Sequence, residues 1–182
     1  MTRQTDTHQI THLSHAQLVQ IAYGWVLRRS PCKVAVKELN THCCNGEYPD
    51  VIGFSSRGHS VLIEVKASRS DFLSDKKKSF RKLPEKGMGD YRFYCCPTGL
   101  IKVEDLPDKW GLIYVDPKGR PRCVHNPYCR SLSGNTWSKE MRKNSQAEIG
   151  LMFSALRRLD IKGHLDSIYD KSYNYTNKRK YK

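Results

Sequence analysis

The sequence predicts an α/β domain: a mixed central sheet flanked by helices in the order α-β-β-β-α-β, then one more strand and a C-terminal helical extension. Apolar residues near the N-terminus recur at helical spacing, and three short alternating runs follow one another between residues 34 and 66. The pattern then returns to helical spacing before the next strand. At 182 residues the chain is long enough for one domain with a substantial core and short for two.

Leu18, Ile21, Ala22, Trp25 and Val26 mark the apolar face of a helix over 14–29, with Ser14 and Gln17 placed as a capping box. This helix holds no acid. After Pro31, Val34 and Val36 alternate with polar neighbours in KVAVKEL, a half-buried strand that leads into a loop through Asn45-Gly46. Tyr48 to Phe54 and Ser60 to Lys66 read as two further strands, joined by the turn Ser55-Ser56-Arg57-Gly58. Ser68 and Ser70 can cap a helix with Asp71 in its first turn and Phe72, Leu73, Phe80 and Leu83 as apolar positions, ended by Pro84. Tyr91 to Cys96 and Gly111 to Val115 are the remaining strands. Residues 119–135 are rich in Pro, Gly and Ser and are expected to be loop. Residues 137–159 carry Met141, Ile149, Met152, Phe153, Leu156 and Leu159 as an amphipathic helix. The expected organisation is a core over 1–118, a loop and helical extension over 119–170, and a basic flexible tail over 171–182.

Charge narrows the function. Lys+Arg 32 against Asp+Glu 18 leaves a net charge of +14, which favours a polyanionic partner, nucleic acid first. No window resembles a membrane span or a signal peptide, so a cytoplasmic protein without a membrane partner is expected. The seven cysteines include the adjacent pairs Cys43-Cys44 and Cys95-Cys96 and suit reduced thiols. Cys123, His125 and Cys129, or His42 with Cys43 and Cys44, match no regular zinc spacing. The chain has no P-loop, dinucleotide-binding glycine string or nucleophile elbow.

One stretch carries chemistry. In VLIEVK, strand alternation puts Val61, Ile63 and Val65 on one face and Leu62, Glu64 and Lys66 on the other, so one face can pack while a carboxylate and an ammonium are presented together. Upstream, YPDVIGF places Asp50 at the start of the neighbouring strand. Two carboxylates with a backbone carbonyl are hard oxygen ligands suited to Mg²⁺, and a bound ion activates water and offsets charge on a phosphate. The ordinary reading of an E-x-K pair is a surface ion pair worth at most about 1 kcal/mol.

The order α-β-β-β-α-β, with Pro49-Asp50 followed by Glu64-Val65-Lys66, resembles the PD-(D/E)xK nuclease superfamily, the restriction-endonuclease-like fold. The longer strings YPDVIGF, IEVKASRSDFLSDKK, YRFYCCP and GLIYVD are similar to its MmcB-like, DNA-repair-associated branch over roughly residues 48–116. The resemblance implies that Asp50 and Glu64, with the Val65 backbone carbonyl, bind Mg²⁺ or Mn²⁺, and that Lys66 serves the attacking water. It also implies an upstream acid, usually from the first helix; Glu38 is the best substitute here and Glu47 the second. Asp71, Asp75 and Lys77 are supporting candidates by the same likeness.

The expected function is therefore metal-dependent hydrolysis of DNA phosphodiester bonds in repair, recombination or mobile-element and phage DNA processing. Lys76, Lys77, Lys78, Arg81 and Lys82 form a phosphate-contacting surface, and a homodimer is compatible with the fold. Two rivals use the same residues: a catalytically silent nucleic-acid-binding subunit and an RNA nuclease. The tail interleaves Tyr169, Tyr173, Tyr175 and Tyr181 with basic residues, a pattern that can stack on unpaired bases.

Overall fold

The computed structural model describes residues 13–41, 44–129, 137–138 and 140–169. The first helix, α1 (His15–Arg29), starts at the expected cap: the Ser14 hydroxyl accepts from the Gln17 amide at 3.3 Å, and the Gln17 side chain accepts from the Ser14 amide at 2.8 Å. Strands β1 (Val34–Lys37), β2 (Val51–Phe54) and β3 (Ser60–Val65) form an antiparallel meander. A crossover through α2 (Arg69–Asp75) and α3 (Ser79–Lys82) then brings β4 (Tyr91–Pro97) alongside β3 in parallel. The strand β5 (Trp110–Val115) pairs parallel to β4, and β6 (Pro121–His125) pairs antiparallel to β5. The six strands lie in chain order across one mixed sheet.

Two layers cover that sheet. Helix α1 lies on the face of Val61, Ile63 and Val65: Trp25 meets Phe93, the register partner of Ile63, with ring centroids 5.4 Å apart. Gly53 makes this approach possible, since a Cβ there would stand 2.3 Å from Val26 Cγ1. The α2–α3 segment covers the opposite face.

Three expectations need correcting. The single helix predicted behind Ser68 is two, because the chain turns at 76–78 with Lys78 extended, and that turn lets Phe80 and Arg81 point back into the core. The predicted loop at 119–135 contains β6, which continues the sheet past residue 118; residues 130–136 lie outside the described part. The C-terminal helix, α4 (Ser145–Ile161), begins later than residue 137. The Met141 and Asn144 amides donate to the Asp90 and Gly87 carbonyls, which holds residues 141–144 against the entrance of β4 instead of in a helix.

Only the first half of α4 packs. Ala147, Glu148 and Leu151 are buried, whereas Ile149, Phe153, Leu156 and Ile161 are exposed. Glu148 anchors the helix by accepting from the Ser60 hydroxyl at 2.6 Å and the Gly89 amide at 2.8 Å, and Lys143 lies 2.9 Å from it. Among the described residues no helix is long and apolar enough to cross a membrane. The tail expected over 171–182, together with His42 and Cys43, lies outside the described residues.

Candidate metal site

Asp50 stands at the entrance of β2, one residue before the strand begins. Val65 turns its amide toward β2 and donates to Asp50 Oδ2 at 2.7 Å, while the Glu38 amide donates to the Asp50 carbonyl at 3.0 Å. The first bond fixes the carboxylate. Its other oxygen, Oδ1, faces His15 Nε2 at 3.4 Å, and the same nitrogen lies 3.6 Å from Glu38 Oε1. These three donor atoms lie within 4.8 Å of one another.

They come from three elements: the first residue of α1, the residue after β1 and the residue before β2. Glu38 adopts a left-handed backbone, φ 45°, which costs an ordinary L-residue about 1–2 kcal/mol. A cleft of about 340 Å³ opens beside Asp50, lined by Glu38, Leu39, Asn40, Tyr48 and Pro49. Arg158 of α4 donates to the Asn40 carbonyl, so the C-terminal extension reaches the lip of this cleft. Burial, then the charge of Glu64, pushes the Asp50 carboxyl up to about 6, although the Val65 amide and Lys66 pull the other way.

The partners expected beside Asp50 are enclosed. Both faces of β3 are covered, and the Glu64 and Lys66 side chains are 3% and 5% exposed, which corrects the reading of an open carboxylate and ammonium. The cause is Arg81, brought over the strand by the turn between α2 and α3. Its Nη2 lies 2.9 Å from Glu64 Oε1 and its Nε donates to Asp75 Oδ2 at 2.8 Å, while Nη1 pairs with Glu47. Lys66 Nζ lies 3.3 Å from Glu64 Oε2 and 3.6 Å from Asp75 Oδ1. Lys78 Nζ reaches Asp75 at 2.9 Å, and the Tyr94 hydroxyl donates to Asp75 at 2.8 Å.

Glu47, Glu64 and Asp75 are thus balanced by Lys66, Arg81 and the half-exposed Lys78. Burial alone would raise the Asp75 carboxyl; the charges of Arg81 and Lys66 and the bonds from Arg81 and Lys78 bring it below the ordinary carboxylate range. Burial would lower the Lys66 ammonium, yet Glu64, Asp75 and Asp50 raise it. Lys66 is therefore a fixed cation at neutral pH.

The other predicted residues divide the same way. Glu47, second choice for the upstream acid, is consumed by Arg81 and by the Met88 amide, which donates to it at 2.6 Å. Asp71 is exposed in the first turn of α2, where its amide donates to the Ser68 hydroxyl at 3.2 Å. Lys77, Lys78 and Lys82 are exposed, and Lys76 donates to the Asp105 carbonyl at 2.8 Å. Arg81 is corrected as a surface phosphate contact, since its side chain is 1% exposed. The Val65 carbonyl shares the strand edge of the amide that Asp50 accepts.

Sequence reasoning missed His15. It sought an acid in the first helix, and the available signal was a histidine directly after the Ser14 cap, at the end of α1 nearest Asp50.

No family model and no curated protein matches this chain. A solved structure does: the SPO1766 protein of unknown function from Silicibacter pomeroyi superposes with a TM-score of 0.54 at 20% sequence identity, covering 90% of this chain and 98% of that one. The two share a fold. The chain is a mixed α/β protein with a six-stranded mixed sheet.

Proposed function

We propose that this protein is a metal-dependent nuclease hydrolysing DNA phosphodiester bonds, built on a restriction-endonuclease-like core of the PD-(D/E)xK type and related to its MmcB-like branch. The single observation that carries the reading is Asp50: a carboxylate locked by the backbone of the E-V-K strand, with one oxygen turned toward two further donors beside an open cleft. The antiparallel meander followed by parallel crossovers, which sets Asp50 next to that strand, supports it. So does the net charge of +14.

In this reading Asp50, Glu38 and His15 hold a divalent ion, Mg²⁺ or Mn²⁺, and the Val65 carbonyl lies on the same strand edge. The bound ion supplies a more acidic water and offsets charge on the phosphate. Lys66, a fixed and enclosed cation whose charge is felt at Asp50, contributes positive potential beside the site and does not act as the base. Glu64 holds Lys66 in place from within the strand. Exposed Tyr48 at the cleft offers a stacking face for a base, and Lys77, Lys78 and Lys82 supply phosphate contacts. The products implied are a 5′-phosphate and a 3′-hydroxyl.

A second reading, a catalytically silent nucleic-acid-binding subunit of the same fold, is favoured by one observation: Arg81 and Lys66 already neutralise Glu64. The test incubates plasmid, linear duplex, branched and single-stranded DNA, and RNA, with Mg²⁺, Mn²⁺ or EDTA, beside Asp50→Ala and Lys66→Ala. Metal-dependent cutting lost in both variants supports the nuclease. Salt-sensitive DNA binding without cutting selects the binding subunit, and cutting that survives both substitutions removes the site assignment.

A further inference from the structure

We infer that His15 makes this site selective for a first-row transition ion, Mn²⁺, over Mg²⁺. The inference rests on the metal site proposed above and names the ion that the site prefers.

Donor chemistry sets the preference. Mg²⁺ takes oxygen ligands in a tight octahedron and keeps much of its water; Mn²⁺ shares carboxylate and water ligands with it, but as a first-row transition ion accepts an imidazole nitrogen more readily, so the nitrogen is the donor that separates the two. Of the three donors at the cleft, two are carboxylate oxygens and one is an imidazole nitrogen, His15 Nε2. The spacing suits a shared ion: donors about 2.1 Å from an octahedral centre sit about 3 Å apart, and Nε2 lies 3.4 Å from Asp50 Oδ1 and 3.6 Å from Glu38 Oε1. A shift of roughly half an ångström brings these two pairs to that spacing, and all three donor atoms already lie within 4.8 Å of one another.

Each donor is carried by a differently fixed segment. The Asp50 carboxylate is bonded directly by the Val65 amide, the Glu38 backbone by the hydrogen bond from its amide to the Asp50 carbonyl, and the backbone at His15 by the Ser14–Gln17 capping box that starts α1. Glu64, the oxygen donor that would make the set harder, is engaged by Arg81 and Lys66. His15 is 41% exposed and Glu38 52%, so an ion reaches the site from solvent without opening the core.

The experiment titrates the metal-stripped full chain with MnCl₂ and with MgCl₂ by calorimetry, for wild type, His15→Ala, His15→Gln and His15→Asp. Pulsed electron paramagnetic resonance of the Mn²⁺ complex then reads nitrogen coupling. Wild type is expected to bind Mn²⁺ at least about tenfold more tightly than Mg²⁺. His15→Ala and His15→Gln lose about tenfold or more for Mn²⁺, change little for Mg²⁺, and abolish the imidazole nitrogen signal. His15→Asp narrows the gap between the two ions. Thermal melts confirm that the variants fold.

Equal affinity for both ions in wild type, or Mn²⁺ binding without nitrogen coupling, overturns the inference. DNA cleavage separates it from the nuclease reading. Selective Mn²⁺ binding with no cutting overturns the nuclease and leaves the ion preference standing; Mg²⁺-driven cutting unaffected by His15→Ala does the reverse.

Discussion

Two acidic centres sit side by side on neighbouring strands, and they have opposite fates. At the entrance of β2, Asp50, Glu38 and His15 face a cleft with donor atoms turned toward one another. On β3, Glu64 is sealed with Glu47, Asp75, Lys66 and Arg81, where each carboxylate has a cation against it. The sealed centre supplies rigidity: taking charges out of water costs several kcal/mol each, and only close pairing offsets it. The open centre supplies unmatched negative charge at a fixed place, which a divalent ion can use. The link between them is the Val65 amide, donated from the sealed strand to the open carboxylate.

The contrast is most easily broken at Arg81. Arg81→Met leaves Glu47, Glu64 and Asp75 short of their shared cation and should cost about 3–5 kcal/mol, read by urea unfolding; a loss under about 1 kcal/mol would mean that the network is not sealed. Next comes Asp75. Its carboxyl is held below the ordinary range, so it stabilises the folded chain above its unfolded pKa, and that stability is lost as pH falls through the acid range. Asp75→Asn should remove about 2–3 kcal/mol at pH 7 and flatten the acid limb of the stability curve.

Asp50 carries the opposite sign. Raised from 3.8 to about 6, its carboxyl binds a proton more tightly in the folded chain, so stability falls as pH rises through that window. Asp50→Asn should therefore gain about 1 kcal/mol at pH 7 in the absence of metal while losing metal affinity. A neutral-pH loss in this variant would remove the contrast between the two aspartates. The smallest change is at the surface. Lys77→Ala with Lys82→Ala should leave stability within about 0.5 kcal/mol and lower the salt slope of DNA binding by up to about 0.9 for each phosphate that is no longer neutralised.

Much of this was legible in the sequence, and the failures share a cause. Periodicity found α1, the meander, the parallel strands and the capping box, because these follow from local spacing. Pro49-Asp50 and Glu64-x-Lys66 pointed to adjacent strand positions, since register follows from a short turn. Strand alternation was right about which side chains share a face and silent about what covers that face. Covering depends on Arg81, which reaches Glu64 only because the chain turns at 76–78. Helical spacing of Phe72, Leu73, Phe80 and Leu83 hid that break. β6 was hidden too, because PRCVH lies between turn-rich segments and, among the described residues, pairs with β5 alone at the edge of the sheet. His15 was overlooked because its relevance arises where the ends of α1, β1 and β2 converge.

The most direct measurement is anomalous diffraction from crystals of the full chain soaked in MnCl₂. One ion bound by His15 Nε2, Asp50 Oδ1 and Glu38 Oε1, with Arg81 still against Glu64, is the predicted result. An ion seated among Glu47, Glu64 and Asp75 with Arg81 displaced, or no ion at Asp50, would contradict the division between an open and a sealed centre.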